Sequence, residues 1–393
     1  RRQRQMCIRD STKRIYRKSR IGGIVMNKAI KYRLYPTNKQ IEMFVKTFGC
    51  CRKIWNLMLV DKIEYYKTTG KMLITTPAQY KKLDGYKYLK EVDSLALANV
   101  QLHLQTAYKN FFHDKKIGFP KLKSAKRSRK TYTTNNQKGT VSLTDNGIKL
   151  PKIGIVKAKI HRKPEPDWKI KSATISQDND GKFYASVLFE FDRSITKVPL
   201  SDNAIGLDYT SDGLYTDSNS NICGSPKYYR KSQKKLAKLQ RQLSRKIKDS
   251  NNRNKARLKV ARLSKHIANQ RLDFLHKKST EIANQYDVVC VESLDMKNMS
   301  NKGFGNGKST LDNGYGMFLV MLDYKLADRG KYFIKVDKWY PSSQICYVCG
   351  RQHKRMKNLS IRKFVCDCGY SNDRDINAAL NIRREGLRLL QTV

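Results

Sequence analysis

Apolar residues change their spacing repeatedly along this chain, and each change marks a different kind of element. Ala29-Ile30-Lys31-Tyr32-Arg33-Leu34-Tyr35-Pro36 alternates and stops at a proline, which predicts one strand, with Thr37 placed to cap the helix that follows. From Ile41 the period becomes helical: Ile41, Phe44, Phe48, Cys51, Trp55 and Met58 share a face, and Leu97, Val100, Leu104, Tyr108 and Phe111 make a second stripe. Residues 37–128 therefore read as a helical bundle whose aromatic residues pack a core. Over 129–200 the period is two, with Asp145-Asn146-Gly147 and Asn179-Asp180-Gly181 as hairpin turns. This predicts an antiparallel β-barrel that takes in the early strand at 26–36, with the bundle inserted into it.

The pattern changes again after 200. Ala204-Ile205-Gly206-Leu207-Asp208 and Asp287-Val288-Val289-Cys290-Val291-Glu292 predict buried strands, each ending on an acid. Gly213 and Ser218-Asn219-Ser220 mark turns of a β-meander between them. Residues 227–278 read as a helical hairpin with its tip at Asp249-Ser250-Asn251-Asn252. Its apolar stripes are Leu236, Leu239, Leu243 and Ile247, then Leu258, Leu263, Ile267 and Leu272. A Gly-, Ser- and Asn-rich stretch at 297–314 reads as a mobile loop, followed by a helix at 316–329, a strand at 332–336, a cysteine module at 346–369 and a last helix near 375–390. Residues 201–345 and 370–393 are expected to form one α/β unit, interrupted by the cysteine module.

Charge sharpens this outline. The chain has 393 residues with 81 Lys+Arg against 33 Asp+Glu, a formal charge of +48, and is 39% hydrophobic. A folded protein this positive repels itself unless a polyanion neutralises it, and nucleic acid is the natural candidate. The hairpin carries 19 Lys/Arg and two Asp. The usual i,i+4 ion pairs are therefore missing, and the surface reads as a polyanion groove with Lys235, Arg241, Arg245 and Arg262 as candidate contacts. Residues 1–25 form a basic leader without the apolar stretch of a signal peptide, expected to be a disordered tail or an upstream artefact, and Met26 reads as a natural start. No apolar run is long enough to span a bilayer, and nine cysteines without an export signal suggest a reducing cytoplasm. The six His residues show no His-Cys or His-x-Glu arrangement, which argues against a His-based nuclease or metalloprotease.

Two constellations carry chemistry. Cys346-x2-Cys349 and Cys366-x-Cys368 supply four thiolates to one tetrahedral Zn2+, with Gly350 and Gly369 letting the backbone turn around it. No coordination position stays open, so this zinc is structural. The second set is Asp208 and Glu292 at strand ends and Asp375 at a helix start. Strand C-termini and nearby helix N-termini converge on one sheet edge, where such carboxylates can hold two Mg2+ ions about 3.5–4 Å apart across a phosphodiester. Asp373 is the alternative third acid, and Arg374 either holds a phosphate or pairs with a neighbour.

Five segments together resemble the TnpB family of transposon-encoded RNA-guided DNA nucleases, relatives of the type V CRISPR effectors. They are Ile205-Gly206-Leu207-Asp208, Val289-Cys290-Val291-Glu292-Ser293-Leu294, Gly314-Tyr315-Gly316-Met317-Phe318, Trp339-Tyr340-Pro341-Ser342-Ser343-Gln344-Ile345-Cys346 and Asp373-Arg374-Asp375-Ile376-Asn377-Ala378-Ala379. The resemblance implies a wedge β-barrel, an inserted helical recognition domain, and a RuvC-like, RNase H-type nuclease interrupted by a zinc ribbon. It places the family's acids on Asp208, Glu292 and Asp375, and its lid on 297–314. It also implies a guide RNA and target DNA as partners, structural Zn2+ and catalytic Mg2+, and a cytoplasmic, nucleoid-associated protein of a bacterium or archaeon. The second thiol pair is Cys-x-Cys where the family has Cys-x2-Cys, which removes no ligand. A miniature type V CRISPR effector would share every motif. A guide-dependent DNA-binding regulator would need a broken acid set, and a strand-transfer transposase would not need so large a basic hairpin.

Overall fold

The computed structural model describes residues 17–18, 24–114, 116–301 and 307–392, and divides into two compact units at Arg193/Ser194. The leader lies almost wholly outside the described residues.

In the N-terminal unit, β1 (Arg17–Lys18), β2 (Ile24–Tyr35), α1 (Asn38–Thr69), α2 (Pro77–Tyr80) and α3 (Ser94–His113) precede six strands. These are β3 (Lys130–Asn135), β4 (Ser142–Thr144), β5 (Gly147–Leu150), β6 (Gly154–Lys159), β7 (Lys169–Gln177) and β8 (Phe183–Arg193). They pair antiparallel in the order β3-β7-β8-β2-β6-β5-β4, with β1 on β2, so the expected β-region is an eight-stranded sheet. Both predicted hairpin turns fall where expected, between β4 and β5 and between β7 and β8. Thr37 caps α1 through a reciprocal bond pair with Gln40, and left-handed Gly70 ends that helix.

The helices are not a separate bundle. Ile30, Tyr32 and Leu34 of β2, with Ala185, Val187 and Phe189 of β8, share one core with Phe44, Phe48 and Ile54 of α1 and Leu97 and Leu104 of α3. The Phe44 ring stacks on Phe183 at 5.4 Å. An amphipathic stripe specifies a buried face but not its partner, and here the partner is the sheet.

In the C-terminal unit, β9 (Ala204–Tyr209), β10 (Gly213–Asp217) and β11 (Ile222–Gly224) form the predicted meander. Then follow α4 (Tyr228–Ser244), α5 (Asn251–Gln285), β12 (Val288–Glu292), α6 (Met296–Met299), α7 (Gly307–Asn313), α8 (Tyr315–Ala327) and β13 (Tyr332–Val336). The ribbon strands β14 (Lys363–Val365) and β15 (Ser371–Asp373) lead into α9 (Arg374–Gln391). The sheet order is β11-β10-β9-β12-β13, with β9, β12 and β13 parallel. Ile205, Leu207, Val289 and Val291 face α5 and α8, while Ala204, Val288 and Cys290 face α9. A Cβ on Gly206 would lie 2.1 Å from the Ala379 carbonyl oxygen, so only glycine allows α9 to lie this close to β9.

Three expectations are corrected. Residues 194–200 belong to this unit rather than to the N-terminal sheet: the Val198 N–H donates to the Gly330 carbonyl at 3.1 Å and Tyr332 donates to the Val198 carbonyl at 3.0 Å. The hairpin stripes end differently, with Ile247 80% and Leu272 41% exposed. Ile247 sits past the end of α4, and it is Leu275, two i+4 steps from Ile267, that keeps the buried face of α5. The 297–314 stretch is not simply a loop. Asp295 caps α6, and Asp312 holds α7 in place by accepting from the Tyr229 and Arg230 N–H groups and pairing with Arg271 at 3.2 Å. Residues 302–306 lie outside the described residues.

Candidate functional site

Strand register brings two of the acids together. Leu207 pairs with Val291 in the parallel β9–β12 ladder, so Asp208 and Glu292 follow side by side at the strand ends. By alternation both continue the α9-facing row of their strands. The third acid comes from α9, whose start is set by Asp373. Its carboxylate caps the helix, accepting from the N–H groups of Asp375 (2.8 Å) and Ile376 (3.3 Å). Capping occupies Asp373 and leaves the Asp375 side chain for other partners; one is Arg362 of the cysteine module.

The charges of Asp375 and Glu292 both act on Asp208. Burial holds the Asp208 carboxyl well above the usual carboxylate range; the charges of Asp375 and then Glu292 push it further, and Arg374 and the Tyr209 N–H pull it back. Burial pushes Glu292 up to about 7. Carboxylate oxygens are hard donors of the kind Mg2+ takes, and Asp208, Glu292 and Asp375 are the residues that could hold it. Among the described residues, only the cysteine set brings three or more potential metal ligands within 4.8 Å of one another, so the three carboxylates stand farther apart than that.

Arg374 is not a surface phosphate contact. It is 6% exposed and donates to the Asn358 carbonyl at 3.0 Å and to Ser343 at 3.4 Å, because the ribbon folds back over the start of α9. Lys235, Arg241, Arg245 and Arg262 are exposed on the hairpin as expected.

The four thiols sit as a metal would require. Sγ–Sγ separations are 3.7 Å for Cys346–Cys368 and 3.5 Å for Cys349–Cys366. Zn–S bonds of about 2.3 Å in a tetrahedron demand about 3.8 Å between sulfurs, so the set fits zinc. The Arg351 backbone N–H lowers Cys349 to about 7, toward the thiolate that zinc needs. His353 was missed by the sequence reading: its Nε2 lies 3.2 Å from Cys366 Sγ, a His–Cys contact after all. As the only histidine between the two thiol pairs it could have been singled out. Asn381 was missed too. With Asn377 it donates to the Ile345 carbonyl, at 2.7 and 2.8 Å, tying the approach to Cys346 onto α9.

Tyr315 opens α8 at the same sheet edge, wholly buried and with no hydrogen-bond partner for its hydroxyl. Its ring packs on Tyr209, the neighbour of Asp208, at 4.8 Å between centroids. Burial, and then the charges of Asp208 and Glu292, push this hydroxyl well above its ordinary pKa.

Comparison with known proteins finds relatives over most of the chain. Residues 185–303 match the family described as "Probable transposase", 315–382 match "Cas12f1-like, TNB domain", and 26–71 match "Helix-turn-helix domain". In this chain 26–71 holds β2 and the single long helix α1. The chain is 33% identical to "Putative RNA-guided DNA endonuclease" of Streptomyces pristinaespiralis, covering 92% of this chain and 90% of that one. It is also 33% identical to "Putative RNA-guided DNA endonuclease InsQ" of Escherichia coli (strain K12), covering 92% and 93%. Its fold resembles a chain of the "Cryo-EM structure of the Cas12f1-sgRNA-target DNA complex", with TM-score 0.58 at 14% identity over 88% of this chain and 83% of that one.

Proposed function

Because the chain belongs to the family of TnpB-type RNA-guided DNA endonucleases, we propose that it cuts DNA matching a bound guide RNA beside a short flanking motif. The observation that supports this reading is the strand register that sets Asp208 beside Glu292, with Asp375 near enough for its charge to act on Asp208. These three would hold the catalytic cations. Mg2+ bound there would supply an attacking water of lowered pKa and charge neutralisation at the departing 3′ oxygen. The protein's own part is to keep the carboxylates on rigid strand and helix ends, with Asp373 fixing the helix start and Arg374 moderating the local negative charge. Four thiols at zinc spacing would bind a structural ion that anchors the ribbon against α9.

The N-terminal sheet would act as the wedge barrel and α1–α3 as recognition helices. Hairpin α4–α5 would cradle the guide–target duplex through its backbone, Lys235, Arg241, Arg245 and Arg262 contacting phosphates. No helix among the described residues is long and apolar enough to cross a membrane. From the nucleic-acid partners proposed for it, we infer that the protein works beside the nucleoid of a bacterium or archaeon. A second reading, a miniature type V CRISPR effector with the same chemistry, is favoured by the match of 315–382 to the Cas12f1-like domain.

The experiment is to purify the protein, sequence the RNA that comes with it, and offer DNA matching the 3′ end of that RNA with Mg2+. Cleavage only of matched DNA is expected. Absence of a structured co-purifying RNA would sink the guided mechanism, and the flanking genomic origin of the RNA separates transposon-end from CRISPR guides.

A further inference from the structure

His353 is held by its backbone and its ring edge, independently of its ring nitrogens. Gln352 bridges to Ile345 across the ribbon, and the His353 N–H donates to the Gln344 carbonyl at 2.8 Å. The His353 carbonyl accepts from the Met356 N–H at 3.0 Å, at the start of the turn Lys354–Lys357. The ring meets the wholly buried Phe364 edge to face, with centroids 5.4 Å apart and planes at 85°. A phenylalanine would fill that space as well, so packing alone does not call for an imidazole. What the imidazole adds is Nε2, 3.2 Å from Cys366 Sγ. Phe364 belongs to β14, which leads directly into Cys366, so one strand places both partners of that contact.

Four thiolates around Zn2+ leave an excess of negative charge, which N–H donors to sulfur offset. The Cys368 N–H reaches Cys366 from within its own turn, as the Arg351 N–H reaches Cys349. We infer that His353 is a positioning residue of the thiol site, its Nε2–H donating to the Cys366 thiolate from across the ribbon and fixing how that sulfur faces the metal. That role presupposes the reading of the four thiols as a zinc site. A thiolate has no proton to give, so Nε2 carries the proton of the bond. The four sulfurs already fill a tetrahedron, which leaves no place for the imidazole as a ligand. Distance agrees: zinc bonds of about 2.3 Å to sulfur and about 2.0 Å to nitrogen would set the two ligand atoms about 3.5 Å apart. The observed 3.2 Å is shorter and suits a hydrogen bond.

The test uses the full chain with its co-purified RNA, as wild type, His353→Phe and His353→Gln. Zinc affinity is measured by competition with a chromophoric chelator, and the thiolate-to-metal charge-transfer band is recorded with Co2+ in place of zinc. His353→Phe keeps the ring packing and removes the donor, so its zinc affinity should fall about tenfold or more. Its Co2+ band should keep the intensity of four thiolates and move to longer wavelength, because an unbonded Cys366 sulfur gives up charge more readily. His353→Gln, whose amide N–H serves the same sulfur, should recover most of the affinity and the band position. Wild-type affinity and spectrum in His353→Phe would overturn the inference. So would an affinity loss with an unmoved band, which marks a packing role, or a wild-type Co2+ spectrum of three thiolates and one nitrogen, which marks His353 as a ligand. His353→Gln behaving like His353→Phe overturns it too. A wild-type chain that takes up no zinc with its thiols reduced brings down the zinc reading and this role with it; zinc uptake with indifferent variants removes the role alone.

Discussion

The four thiols of the ribbon and the three carboxylates at the sheet edge belong to the same unit, and Cys368 and Asp375 are close neighbours in sequence, yet the two sets are assembled differently. The thiols come from two tight turns and reach 3.5–3.7 Å of one another. The carboxylates come from β9, β12 and α9 and stand farther apart, with Asp208 driven toward protonation by burial and its two neighbours. The proposed structural site is built from local turns, and its thiols are shifted in opposite directions, Cys349 down to about 7 and Cys366 up to about 12. The proposed catalytic site collects like charges on separate rigid elements and leaves the balance to its ligands. The two are mechanically joined, since Arg362 of the ribbon pairs with Asp375 and Asn377 and Asn381 of α9 hold the approach to Cys346.

This contrast can be broken by mutation. Asp208→Ala should reduce cleavage by about three orders of magnitude, while its melting temperature stays level or rises as like-charge repulsion is relieved. Cys366→Ser should do the reverse at first: zinc content falls, and the melting temperature drops as the ribbon loses its core of Cys346, Met356, Phe364 and Cys366. Zinc analysis and thermal melting side by side read both. If Asp208→Ala destabilises as strongly as Cys366→Ser, the division of labour is wrong.

A smaller effect should appear in pH dependence. Native Glu292 keeps its proton up to about 7, whereas an unfolded glutamate releases it near about 4.3. Between these values the native state binds more protons, so stability falls as pH rises through that window and is lowest above it. In Mg2+-free buffer the protein should melt at a lower temperature at pH 8 than at pH 6, and Glu292→Gln should shrink that gap by a few degrees. An unchanged gap would place the titrating group elsewhere. The smallest change belongs to the hairpin: Lys235→Ala with Arg241→Ala should flatten the salt dependence of nucleic-acid binding by a slope of about 2 and spare both sites.

Much of this was legible in residue order. β9 and β12 are continuous apolar runs closed by an acid, and the four cysteines have metal-ligand spacing. What escaped was set by tertiary contact. The merging of α1 and α3 with the sheet depends on which apolar faces meet, and an amphipathic pattern does not name its partner. Helices α6 and α7 are too short for periodicity to reveal and are held by the Asp295 and Asp312 side chains. Arg374 looks like any exposed arginine until the ribbon closes over it. Tyr315 sat within a motif, but only three-dimensional packing exposes its unpartnered hydroxyl.

The most direct test is guided cleavage by wild type and Asp208→Ala, prepared with the same co-purified RNA and given the same matched DNA with and without Mg2+. The account predicts cutting by wild type in Mg2+ alone and none by the variant, with equal DNA binding by both. Cutting by Asp208→Ala, or Mg2+-independent cutting by wild type, would contradict it.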